Sequence, residues 1–142
     1  MTAEGIFSIA NTAALVCWLL LVAFPGRRWV TRGVAGVAVP AALAALYSVL
    51  IAIHFAGSPG GFSSLPDVAL LFGNPWLLLA GWIHYLAFDL LVGTWEVRDA
   101  RDRGIRHLLV VPCLVLTFLF GPAGWLIYLG VRRFSPLSPG ES

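Results

Sequence analysis

The sequence predicts an all-α fold: an integral membrane four-helix bundle whose fourth helix is kinked at Gly121-Pro122. Three observations predict it. Of 142 residues, 59% are hydrophobic and 11% charged, where soluble domains hold about 45–50% and about 25%. Four apolar segments, at about 6–24, 34–56, 75–95 and 107–131, each approach the roughly 20 residues that cross a hydrocarbon core. Asp89 apart, the charged residues lie outside those segments. Backbone groups in lipid must pair within their own segment, so each segment is expected to be a helix.

The first segment lacks the basic start of a signal peptide. Glu4 precedes it, and Arg27 and Arg28 follow it, the order of a first helix whose N-terminus lies outside. The second holds Pro40 close enough to its start to be tolerated. The third opens on Pro75, a favourable first-turn residue. The connection at 26–33 carries Arg27, Arg28 and Arg32, and that at 96–106 carries Arg98, Arg101, Arg103 and Arg106 among Glu96, Asp99 and Asp102. The connection at 57–74 is rich in Gly, Ser and Pro and has Asp67 as its only charge. Basic loops stay in the cytoplasm, so loops one and three are placed there and both termini outside. Arg132 and Arg133 conflict with that placement. A crossing kinked at Gly121-Pro122-Ala123-Gly124 is the expectation. The alternative is a re-entrant hairpin, which would return the tail to the cytoplasm. Residues 1–134 form one transmembrane domain in this reading, and 135–142 a disordered tail.

Several chemistries drop out. All nine basic residues are Arg, so no Lys is present for Schiff-base chemistry. Cys17 and Cys113 fall mid-segment without a C-x-x-C pattern and read as reduced core thiols. The His and acidic residues form no metal-ligand spacing, and neither metal nor cofactor is expected. The mixed signs from Arg98 to Arg106 argue against nucleic acid and for a solvated extension at the lipid headgroups. No nucleotide loop or hydrolase elbow opens a helix.

His84, Asp89 and, nearer a helix end, His54 are the ionisable groups at depth that carry the functional signal. A charge mid-bilayer costs roughly 2.5 kcal/mol or more, so such groups have partners or tasks. Helical spacing puts Trp82, Tyr85, Asp89, Val92, Glu96, Asp99 and Arg103 on one stripe. His84 lies about 140° round from Asp89, so the two must meet different neighbours or line different sides of one pocket. Asp89 reads either as a carboxyl joining helices or as an acid that donates a proton. A pair between Asp89 and a snorkelling Arg106 is expected if their helices adjoin. Trp82, Tyr85 and Phe88 make aromatic walls suited to a flat apolar ligand, although they serve ordinary packing equally well.

The run Trp82-Ile83-His84, Asp89-Leu90, Asp99, Arg106-His107 and Gly121-Pro122-x-Gly124 resembles the abscisic-acid-deficient-4-like membrane proteins. These are the plastid neoxanthin-synthesis proteins of plants and their bacterial relatives. The likeness is close over 75–131; the first two helices match in hydropathy only. It implies a four-helix membrane protein tied, in plants, to converting violaxanthin to neoxanthin. That reaction opens an epoxide and forms an allene, which needs a proton donor and a base. By the resemblance, Asp89 and His84 are the acid–base candidates, and Asp99, Arg106 and His107 fall on matching motif positions; Glu96 falls outside the motif. The expected protein is thus a bacterial inner-membrane member that binds or isomerises a carotenoid or other isoprenoid, with Trp82, Tyr85, Phe88, Arg106, His107 and Asp99 at the ligand. The alternatives are an accessory protein for a membrane enzyme and, behind it, a proton or ion conduit.

Overall fold

The computed structural model describes residues 2–135, so all of the expected tail but Ser135 lies outside the described residues. Six helices occur in chain order: α1 Ala3–Ala23, α2 Trp29–His54, α3 Leu65–Phe72, α4 Pro75–Asp102, α5 His107–Phe120 and α6 Pro122–Phe134. No strand occurs among the described residues. Helices α1, α2 and α4 are each long and apolar enough to cross a membrane.

Helix α1 is capped by Thr2, whose hydroxyl accepts from the Gly5 amide. Ala10, Ala14, Cys17, Trp18 and Leu21 face inward at helical spacing, while Ile9, Leu15, Val16 and Leu19 are exposed. A helix apolar on both faces needs an apolar surround. Both cysteines are free and buried, as expected.

Helix α2 begins earlier than the hydropathy implied and winds as a π-helix over Trp29–Ala38 before tightening at Val39. The Val39 amide donates to the Val34 carbonyl, five residues back. In that register the Ala35 carbonyl would pair with residue 40, a proline without an N–H. The Thr94 hydroxyl of α4 donates to it instead, at 3.3 Å. Pro40 is tolerated because a neighbouring helix serves the carbonyl it leaves over.

Helix α3 lies inside what read as an irregular connection. Its start is local chemistry: the Ser64 hydroxyl accepts from the Asp67 amide and donates to the Asp67 carboxylate at 2.7 Å, with Pro66 in the first turn. That is a reciprocal helix-start arrangement.

Helix α4 is the central element and packs against all five other helices. Asn74 caps it by accepting from the Trp76 amide. Towards its N-terminus Leu79, Ala80, Ile83 and Leu86 pack with Ala14, Leu43 and Leu50. Towards its C-terminus Leu90, Val97 and Ala100 pack with Leu21, Val30, Leu114 and Tyr128.

The expected fourth crossing is the main correction. Residues 107–134 form two helices, not one kinked helix, and neither has the length of α1, α2 or α4. The chain reverses at Gly121, whose φ of 49° and ψ of −104° suit only glycine. Pro122 then starts α6 at a position where no N–H is needed. Close packing of the two arms depends on Gly124, whose missing Cβ would collide with Thr117 N and Oγ1. The contacts show the reversal. Thr117 of α5 meets Glu96, Gly121 meets Asp89, and Tyr128 and Arg132 of α6 return to Asp99. Arg132 and Arg133 thereby rejoin the end of the molecule that holds the other seven arginines.

Candidate functional site

The polar groups gather where the α5–α6 hairpin covers one face of α4. Asp89 is 9% exposed and lies against the hairpin tip. A Cβ on Gly121 would sit 2.9 Å from Asp89 Oδ1 and 3.4 Å from the Tyr85 ring. The Tyr85 hydroxyl reaches the Phe118 carbonyl at 3.4 Å, a weak bond. Asp89 Oδ2 is buried without a hydrogen-bond partner.

Two turns further along α4, Glu96 is 0% exposed. Its Oε1 accepts from the Thr117 hydroxyl at 2.9 Å, and its Oε2 has no partner. Among the described residues no arginine reaches either buried carboxyl, and the ion pairs are those of Asp99. Asp99 accepts from Arg103 Nε at 3.0 Å, from the Tyr128 hydroxyl at 2.7 Å and from Arg132 Nε at 2.9 Å. It fastens the free end of α6 to α4.

A groove of about 560 Å³ runs along the opposite end of α4, walled by α1, α3 and α4. Phe7, Phe72, Leu78, Trp82 and Tyr85 line it, with Glu4 as its one charged residue. Trp82 is held by its indole N–H, which donates to Asn11 Oδ1 at 2.8 Å. Tyr85 lines this groove and also abuts the hairpin tip, so it stands between the groove and Asp89.

The other residues singled out from sequence are dispersed. His84 is exposed on the α2 side of α4, its ring against Tyr47 and, at 4.6 Å between centroids, Phe88. Neither His84 nor Phe88 joins Asp89. His107 donates from Nε2 to the Val22 carbonyl at 2.9 Å and ties α5 to the end of α1. Arg106 precedes α5, exposed, at the arginine-rich end, and makes no pair with Asp89. The reason is axial distance: α4 continues 13 residues beyond Asp89, about 20 Å at helical rise. His54 stacks on Trp76 near the end of α2. Among the described residues no three His, Cys, Asp or Glu side chains group as metal ligands.

Sequence reasoning set Glu96 aside and did not reach Thr117, Tyr128 or the pairing of Arg132. The stripe containing Asp89, Glu96 and Asp99 was the signal for the first. The other three depend on α6 folding back.

No curated protein and no solved structure matches the chain. The profile of one family, ABA DEFICIENT 4-like, matches residues 5–128, which takes in all of the groove but Ala3 and Glu4, both buried carboxyls and the hairpin as far as Tyr128. With most of its length covered, the chain belongs to the ABA DEFICIENT 4-like (ABA4-like) family.

Proposed function

We propose that this is a multi-pass protein of the plasma membrane that binds a neutral, elongated isoprenoid of the carotenoid class and isomerises it by acid–base chemistry. Helices α1, α2 and α4 make three crossings, and the α5–α6 hairpin enters part-way from the arginine-rich, cytoplasmic side and returns. The positive-inside rule then holds for all nine arginines. The N-terminus lies outside and the chain leaves α6 inside. Single cysteines at Thr2 and Ser135, in a chain lacking Cys17 and Cys113, are expected to react with an impermeant maleimide from opposite faces of oriented vesicles. Labelling of both from one face would exclude the three-crossing arrangement.

The observation that carries the ligand reading is the place of Tyr85, at once a wall of the apolar groove and a neighbour of the Asp89 site. An apolar chain lying along Phe7, Phe72 and Trp82 would bring its end group to Tyr85, one turn from Asp89. Asp89 is the proton donor to an epoxide oxygen in this proposal, and its carboxylate then takes up the carbon-bound proton lost as the ring opens, which balances the isomerisation and restores the acid. His84 lies round the helix from the groove and is not required at the same ligand atom. The test is pigment bound to the purified protein, read by its visible spectrum and by mass spectrometry, then its conversion. Asp89→Asn is expected to keep bound pigment and lose conversion at least about 100-fold, while His84→Ala keeps both. Conversion that survives in Asp89→Asn would remove the acid. Absence of any polyene would favour the second reading, an accessory protein to a membrane enzyme. That reading draws on the Glu96–Thr117 and Asp99–Arg132 bonds, which join helices and need no ligand.

A further inference from the structure

We infer a binding site for anionic phospholipid headgroups where the α1–α2 connection meets the C-terminal end of α4, built from Arg27, Arg28 and Arg101. Arg101 Nη1 donates to the Gly26 carbonyl at 3.4 Å. Gly26 is the residue before Arg27, and consecutive Cα atoms lie about 3.8 Å apart. That bond, weak at this length, sets the Arg101 guanidinium beside the backbone carrying Arg27 and Arg28, although Arg101 lies 75 positions along the chain from Gly26.

All three arginines are exposed, and among the described residues no carboxylate pairs with any of them. The contrast with the other side of the same end is direct. There Asp99 neutralises Arg103 and Arg132. Here three like charges share one stretch of surface with no carboxylate paired to them among the described residues, an arrangement an anion would stabilise. Arginine suits phosphate because its fork of N–H donors matches the oxygens.

The location selects lipid over a soluble anion. Arg28 is followed by Trp29, 55% exposed, and Arg27 lies close after Phe24, 47% exposed. Both aromatic residues sit at the ends of span-length helices, the level at which Trp anchors at headgroups. A phosphodiester there can bond the guanidiniums while its acyl chains run along the exposed apolar faces of α1 and α2. The site stands apart from Asp89 and rests only on the membrane-embedded part of the preceding reading.

The test uses the full chain in phosphatidylcholine nanodiscs holding a minority of phosphatidylglycerol, with native mass spectrometry counting the lipids retained. The wild-type chain is expected to retain phosphatidylglycerol well above its share. The triple variant Arg27→Gln, Arg28→Gln, Arg101→Gln is expected to lose about tenfold or more of that enrichment, and Arg133→Gln to keep it. All four positions are exposed, and unchanged helicity checks the fold. Equal loss in Arg133→Gln would show a diffuse basic end and overturn the site. So would undiminished enrichment in the triple variant, or displacement of the lipid by millimolar inorganic phosphate. A chain that does not enter nanodiscs at all would overturn both the membrane reading and the site.

Discussion

Gly124→Ala is expected to destabilise the protein by about 3 kcal/mol, at the upper end of the cost of overpacking. The added methyl would meet Thr117 at its backbone nitrogen as well as at its hydroxyl. A side chain could rotate away; a helix backbone can only move as a unit. Parting α5 from α6 also loosens the Thr117–Glu96 bond and draws Tyr128 and Arg132 from Asp99. Thermal unfolding in detergent should therefore show a lower midpoint. Modification of Cys113, 1% exposed on α5, should quicken more than that of Cys17 on α1. An unchanged midpoint with unchanged Cys113 reactivity would mean that the arms are not tightly packed there. Gly130, with open space around its α-carbon, is the control, and Gly130→Ala should be neutral or slightly stabilising.

Asp99→Ala is the second large effect, expected to cost about 2 kcal/mol. Removing this carboxylate strands Arg103, Arg132 and the Tyr128 hydroxyl together. The figure stays below that for a sealed ion pair because both arginines and Asp99 keep some contact with solvent. Arg132→Gln should cost less, since Arg103 remains on the carboxylate, and the double variant should cost less than the sum of the two. Additive losses in that cycle would show that Asp99 and Arg132 do not act on one another.

Much of this was legible in the sequence, and its limits have physical causes. Hydropathy located α1, α2 and α4 because each exceeds the length of a span. Pro75 marked the start of α4, since a first-turn proline acts locally; the Asn74 cap beside it is equally local but was not read. The start of α3 was encoded equally locally by Ser64, Pro66 and Asp67, but a connection rich in Gly, Ser and Pro hid it. The reversal at Gly121 was weighed and set second to a kink. Hydropathy cannot separate a bent crossing from two half-length arms, because both are apolar. The charge pattern could: Arg132 and Arg133 marked the chain's return. For the site, helical spacing gathered Asp89, Glu96 and Asp99 onto one face and set His84 apart. What covers that face depends on tertiary contact with Thr117, Gly121, Tyr128 and Arg132, which no local pattern encodes.

The wide turns that open α2 give the protein slack in one place and none in another. A stretch wound with five-residue spacing holds more chain per turn than its height requires. Loss of a single residue from 29–38 can be taken up by tightening the coil, leaving everything after Val39 in register. The same loss between Asp89 and Glu96 would swing every later side chain of α4 by about 100°. Variation in chain length among kindred proteins should therefore collect in the first half of α2 and avoid the second half of α4.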